Sequence, residues 1–449
     1  MPRDPWLTFL EDYKRHVPGD PQGIAAYQLF TNLRDAGPDL WLKEPLKAIH
    51  FSWLSNVGTD VKDLALQPRY DYGFVIDSAA APGLGTCLPV LRALPSGRRA
   101  LLLVRDHVVR DPRFVDLTRS PAFDVVNIDR TKTAAGRMAR APGAMMEVAR
   151  AFPKGLATIP KLILRKLHVE TVLDRLLDQT SLGCLVVCNE RLILSGAAIH
   201  AAKRRGIATA CLQHGALVDQ YLPVTVDLYL TWGANASDWF RGRGVSARLL
   251  DIGAPRTDGL AAGLRSAAPK TDRTVAFFTQ RPGTDFDPAW TLRVEQEVLK
   301  LLDLPGCGLW VKLHPADDPT RWQKIAASQP RVRLLQGGDP YQVIGDADYT
   351  GAFYSTVLLE AMLFDRPVFQ LNPFGETVPD YSERGGCTPL RDGAALCDWF
   401  RRCESESDFR RQGIERQRAY AARTFSNFGR ASAAFYESLD SALSDPRTT

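Results

Sequence analysis

Several things are scarce in this sequence. Its eight cysteines, in 449 residues, form no C-x-x-C pair and no zinc-ribbon spacing, so neither a structural zinc site nor a thioredoxin-like motif is expected. Cys184 and Cys188 lie on an apolar run and read as buried thiols, which points to a reducing compartment. No window approaches the roughly 18 uncharged apolar residues of a membrane-spanning helix. The start, Met1-Pro-Arg-Asp-Pro-Trp, lacks the basic-then-apolar pattern of a secretory signal. A cytoplasmic protein is the expectation. Net charge is also scarce: 56 basic against 51 acidic residues leave +5, too little for the concentrated basic footprint of a nucleic-acid binder. The 34 glycines and 30 prolines follow no period, which excludes collagen-like and low-complexity chains. No internal repeat is found.

What remains is an ordinary globular composition, 45% hydrophobic and 24% charged. The length exceeds the roughly 250–300 residues at which a single core stops growing, so two domains are expected. Short apolar runs bounded by turns read as parallel strands covered on both faces. In the first half these are residues 72–77, 100–104, 123–128, 184–188, 207–212 and 227–231, with helices expected at 131–182 (interrupted by Pro142, Pro153 and Pro160), 192–205 and 235–241. Residues 261–272 are small, polar and proline-containing, a linker. The second series has strands at 274–278, 308–313, 332–335 and 367–371 and helices at 288–302, 320–328, 340–344 and 355–364, while Tyr349 begins a loop. Residues 394–403 and 406–440 read as helical. The expected division is 1–262, 270–405, and a helical C-terminal segment 406–449. This is an α/β protein of two Rossmann-like, doubly wound domains facing a cleft at the carboxyl edges of their sheets.

Three constellations fall at expected strand ends. Gln213-His214-Gly215 follows the strand 207–212, and an imidazole at such a corner has a near-neutral pKa suited to taking a proton from a hydroxyl; the alternative is a turn histidine bound to a backbone carbonyl. Lys312-Leu313-His314-Pro315 ends the strand 308–313, where alternation sends Lys312 and His314 to one side and Pro315 fixes the corner. A cation and an imidazole there suit a phosphate oxygen, or simply cap a strand. Gly351 to Thr356 leads into a helix, and the Ser355-Thr356 hydroxyls with the free N–H groups form an anion site or an ordinary cap. Glu360, one turn on, could reach a ribose hydroxyl or a neighbouring backbone group. Smaller pointers are Gln280-Arg281 after the strand 274–278, Arg256 and Asp258 near the linker (an ion pair or cleft lining), and Glu190, a second candidate base after the strand 184–188. The absence of G-x-G-x-x-G and of a Walker lysine argues against a dinucleotide cofactor or ATP. Residues 131–166 hold eight cations against Glu147 alone, with Met145, Met146, Phe152, Leu156 and Ile159 among them. That segment reads as a solvated helix pair or as a surface resting on anionic lipid.

The ordered set Q-H-G, D-L-Y-L-T-W-G, G-A-P-R-T-D, K-L-H-P and Y-S-T-V-L-L-E-A-M…P-V-F, over about residues 184–372, resembles bacterial surface-polysaccharide transferases of the GT-B fold. These include capsule Kdo transferases, polysialyltransferases and CDP-glycerol glycerophosphotransferases. The resemblance implies that the C-terminal domain holds a nucleotide-activated donor and the N-terminal domain the acceptor, with His314 and Ser355-Thr356 on donor phosphate and His214 as base. The (D/E)-(D/E)-G motif of the sialyltransferases is missing, which leaves His214 ahead of Glu190. The implied reaction is an inverting transfer from a CMP-, CDP-, UDP- or GDP-activated sugar to a saccharide or glycolipid hydroxyl. No cofactor or metal is called for, and a peripheral place on the inner membrane through residues 131–166 is expected. The alternatives are a nucleotide-sugar 2-epimerase of the same fold, or a non-catalytic scaffold.

Overall fold

The computed structural model describes residues 5–34, 58–132, 140–155, 158–261, 273–280, 288–315, 317–375 and 386–445. The chain divides into two compact units, Met1–Asp258 with Arg430–Thr449, and Gly259–Gly429. The C-terminal helices are therefore shared. Ser407–Thr424 belongs to the second unit and Ala431–Leu443 to the first. The connection between them contains Asn427 at φ 50 and Gly429 at φ 85, left-handed conformations that end a helix.

The first unit is built on seven strands: β1 (Arg69–Ile76), β2 (Ala100–Val104), β3 (Phe123–Asn127), β4 (Ser181–Val187), β5 (Ala208–Leu212), β6 (Leu228–Thr231) and β7 (Arg248–Asp251). Their order is β3-β2-β1-β4-β5-β6-β7, every neighbour parallel. All five residues of Ala100–Val104 are buried, as a strand needs when helices cover both its faces. Alternation divides the side chains. Val75, Leu101 and Leu103 face one core with Trp6, Tyr13, Leu162 and Val172, whereas Tyr72, Phe74, Leu102 and Val104 face another with Leu91, Phe435, Tyr436 and Leu439. The last helix thus completes the second face of the first sheet, and Tyr72 donates 2.5 Å to Asp440 across it.

The N-terminal helices Pro5–His16 and Ala26–Arg34 pack on the first of these faces. Trp6, Phe9 and Phe30 make an aromatic cluster with centroids 5.3–6.5 Å apart. Residues 131–166, where described, form the helices Ala141–Ala151 and the start of Ile159–Leu177. Most of their apolar side chains go inward. Leu162 and Ile163 are in the core, and Phe152 packs 5.1 Å from Phe9. Lys166 is buried and pairs with Glu170 at 2.9 Å. Arg140, Lys154 and Met146 stay exposed; Arg137 and Leu156 lie outside the described residues.

The second unit carries β8 (Arg273–Phe278), β9 (Cys307–Lys312), β10 (Val332–Leu335), β11 (Tyr349–Ala352), β12 (Val368–Leu371) and β13 (Thr388–Leu390) in the order β10-β9-β8-β11-β12-β13, again all parallel. Residues 349–352, expected as a loop, are a central strand. Its Gly351 is required by packing: an added Cβ would stand 2.0 Å from the Phe369 ring. The linker expected at 261–272 lies, beyond Ala261, outside the described residues.

Each sheet reverses its winding once, between β1 and β4 in the first unit and between β8 and β11 in the second. At such switch points the loops leave to opposite faces and open a crevice beyond the carboxyl ends. Among the described residues no helix is long and apolar enough to cross a membrane.

Candidate functional site

Two groups of polar side chains gather at these carboxyl edges, one in each unit. In the first unit His214 leaves the end of β5. Its Nδ1 lies 2.6 Å from the carbonyl oxygen of Cys188. A carbonyl can only accept, so Nδ1 carries the proton and Nε2 is the basic nitrogen. The Tyr221 hydroxyl lies 3.0 Å from Nε2 and donates to it, with the two rings stacked at 5.1 Å and 23°. Burial draws the imidazole pKa down to about 4, against the Cys188 carbonyl and assisted by the Arg256 charge. The ring is thus neutral at physiological pH and able to accept. Arg256 donates to the backbone oxygen of His214 at 3.1 Å and lies 4.8 Å over the Trp232 ring.

Other expected residues are engaged inside the unit. Gln213 is buried and spends its amide on the chain: Nε2 donates to Gly215 at 2.9 Å, and Oε1 accepts from Trp232 N at 2.7 Å. It is a staple between the ends of β5 and β6. Both oxygens of Asp258 accept from Ala431 and Ser432 N–H at 2.8 Å, so Asp258 caps the last helix. Glu190 Oε2 accepts from Thr225 N at 2.7 Å and from its hydroxyl at 2.5 Å, while Oε1 is buried without a hydrogen-bond partner. Burial pushes its carboxyl up, against the Arg191 charge. Arg191, half-buried, donates to the carbonyls of Gln220 at 2.9 Å, Tyr221 at 2.7 Å and Pro223. Glu190 and Arg191 therefore clamp the segment that carries Tyr221.

Asp77, just past β1 at the switch point, was not singled out by sequence. Its Oδ2 accepts from the Ser195 hydroxyl at 2.5 Å and from Ser195 N at 3.2 Å, and its Oδ1 is buried without a hydrogen-bond partner. Burial pushes the carboxyl up to about 6, against Ser195 and Arg105. The signal was available as an acid directly after a buried strand. Tyr221 left no comparable trace.

In the second unit Thr279, past the end of β8, pins the other imidazole residue: its Oγ1 accepts from His314 N at 3.0 Å and donates to Asp317 at 2.7 Å. Lys312 does not share the outward course expected for it and His314. Its ammonium is buried and donates to the Gly337 carbonyl at 2.6 Å, and burial lowers its pKa. Ser355 caps the helix Thr356–Ala361, accepting from Val357 N at 3.3 Å. Glu360 is buried and accepts from the Tyr341 hydroxyl at 2.9 Å. Gln280 follows Thr279, and Arg281 lies outside the described residues. Among the described residues no cluster of three or more His, Cys, Asp or Glu side chains is placed to hold a metal. Of two Asp-x-Asp tripeptides, 285–287 lies outside the described residues. The other, Asp346-Ala347-Asp348, sits at the amino end of β11, where Asp348 accepts from Thr274 N at 3.0 Å.

No protein-family model matches the sequence, and no curated protein does. Solved structures match along most of the chain. The UDP-GlcNAc 2-epimerase from Neisseria meningitidis bound to UDP-GlcNAc aligns with TM-score 0.55 at 12% identity, over 82% of this chain and 99% of that one. Another UDP-N-acetylglucosamine 2-epimerase aligns with TM-score 0.54 at 14% identity, over 83% and 96%. The calicheamicin glycosyltransferase CalG4 aligns at 0.49 and 13% identity, over 83% and 98%. The fold is GT-B. At these identities the GT-B likeness describes the architecture, two parallel α/β units, and leaves the reaction to the side chains.

Proposed function

We propose that this GT-B chain is an inverting, metal-independent glycosyltransferase. It moves a sugar from a nucleotide-activated donor to a hydroxyl of a surface polysaccharide or glycolipid. One observation carries the reading: at the carboxyl edge of the first sheet, the Cys188 carbonyl fixes the tautomer of His214 and leaves Nε2 as a proton acceptor. The second unit supplies the donor side, with Thr279 holding the backbone of His314 and Ser355 capping the helix Thr356–Ala361. The acceptor hydroxyl gives up its proton as its oxygen attacks the anomeric carbon, and the nucleotide phosphate leaves with the bonding electrons. Donors aimed at that developing charge are each worth on the order of 3–4 kcal/mol. Lys312 and Glu360 act in this reading as supports of the donor side, and Arg256 as the support of His214.

A second reading is a nucleotide-sugar 2-epimerase. It is favoured by the alignment to structures titled UDP-GlcNAc 2-epimerase and by Asp77, a buried carboxyl with a raised pKa at the switch point. The first test is a thermal-shift screen against CMP, CDP, UDP and GDP. A nucleotide present at about 100 times its Kd stabilises the folded state by roughly 2.7 kcal/mol. Stabilisation by one of the four is expected; no shift with any of them contradicts both readings.

A further inference from the structure

The geometry points to Tyr221 as a catalytic residue that stands between His214 and the incoming hydroxyl. This rests on the transferase reading and deepens it. Nε2 of His214 is the one ring nitrogen able to accept a proton, and the Tyr221 hydroxyl occupies it at 3.0 Å. The acceptor alcohol therefore meets the phenol oxygen, which can accept a hydrogen bond while its own proton points at the imidazole.

The contact is built rather than incidental. The backbone around Tyr221 is held from three sides. Arg191 donates to the carbonyls of Gln220, Tyr221 and Pro223. Trp6, on the N-terminal helix, donates to the Leu222 carbonyl at 2.9 Å. Glu190 accepts from Thr225 N at 2.7 Å. The imidazole is held in turn by the Cys188 carbonyl and by Arg256 on its own backbone oxygen. Two half-buried charges and a tryptophan from a distant helix thus keep one phenol against one imidazole. A packing role alone would be met by the stacked ring, without a hydroxyl at hydrogen-bond distance.

The step balances as a relay. The acceptor O–H bond breaks and its proton joins the Tyr221 oxygen. The Tyr221 O–H bond breaks and its proton joins Nε2. The acceptor oxygen forms its bond to the anomeric carbon, and the bond to the nucleotide phosphate breaks with its electron pair leaving on phosphate. No free tyrosinate accumulates, and the phenol ends as it began. His214, neutral before the step, ends as an imidazolium whose charge is opposed by the Nδ1–H···O bond to Cys188. Of the charged groups around the pair, Arg256 disfavours that cation.

The test uses the full chain, wild type against Tyr221→Phe, which keeps the ring and every carbonyl that Arg191 holds. Histidine is labelled with nitrogen-15 for titration. Nucleotide release is followed from UDP-N-acetylglucosamine and CMP-Kdo, with water or added bacterial glycolipid as acceptor. In Tyr221→Phe the neutral imidazole loses its donor, so the His214 pKa is expected to rise, while burial, the main cause of its lowering, continues to hold it below the ordinary histidine value. The kcat for nucleotide release is expected to fall about a hundredfold or more with the donor KM within about twofold, the range of general acid–base catalysis. On a His214→Ala background the same change should add nothing further. A Tyr221→Phe chain that keeps its kcat within twofold overturns the relay alone, as does an unmoved His214 titration. A wild-type chain that releases nucleotide from neither donor overturns the transferase reading, and the relay falls with it.

Discussion

Asp77 is the group whose removal gives the most quantitative test of the first unit. Its carboxyl titrates at about 6, raised from 3.8 by burial. The folded chain therefore binds more protons than the unfolded chain between pH 4 and 6, and stability falls as pH rises through that window. A shift of about 2 units at 1.36 kcal/mol each is about 3 kcal/mol of cost, absent near pH 3 and fully present above pH 7. Asparagine at this position carries no such cost, and its side-chain oxygen can still accept from Ser195. The difference in stability between Asp77→Asn and wild type should thus grow by about 3 kcal/mol from acid to neutral pH, whatever its value at the acid end. At 2–4 °C per kcal/mol for a unit of this size, that is roughly 6–12 °C in the melting temperature of the transition belonging to the first unit. Differential scanning calorimetry at pH 4 and pH 7.5 reads it directly. A difference that stays constant between the two pH values would refute the burial argument and place Asp77 in water.

Three further outcomes follow from the same contacts. Arg191→Met removes the donor to three loop carbonyls and leaves Glu190 buried without its counter-charge, so denaturant unfolding should show a loss of about 3–5 kcal/mol, and amide exchange in residues 219–225 should accelerate. Wild-type protection in that segment of the variant would contradict the clamp. Gly351→Ala forces a methyl to within 2.0 Å of the Phe369 ring and should cost the second unit about 1–3 kcal/mol in chemical denaturation. An unchanged midpoint would mean that β11 and β12 are not packed as described.

Much of the architecture was readable because parallel strands covered on both faces write themselves as unbroken apolar runs. Ala100–Val104, Cys184–Val187 and Val275–Phe278 are of this kind. The strands that escaped notice are those whose burial comes from neighbours rather than composition. β11 is four residues with a threonine and a glycine, β13 carries a proline at the sheet edge, and β7 begins and ends on charges. The helix expected over 406–440 breaks at Phe425–Arg430, where only the two left-handed residues mark the interruption. In the candidate site, the place of His214 at a strand end was legible from its glycine neighbour, and its Nδ1 makes the backbone-carbonyl contact of the turn alternative. Lys312 misled because alternation fixes the side of a strand but not what waits there, and the Gly337 carbonyl was waiting. Asp77 and Tyr221 acquire meaning through partners that sequence does not align, Ser195 at a separation of 118 residues and Arg191 at 30.

The account stands most directly on acceptor-dependent nucleotide release. Wild-type chain incubated with a nucleotide sugar and a glycolipid acceptor should release one nucleotide per sugar transferred, and much less when the acceptor is left out. His214→Ala should reduce that rate at least a hundredfold while donor binding by calorimetry is unchanged. Conversion of the nucleotide sugar into its 2-epimer without acceptor and without release, or equal loss of binding and turnover in His214→Ala, would contradict it.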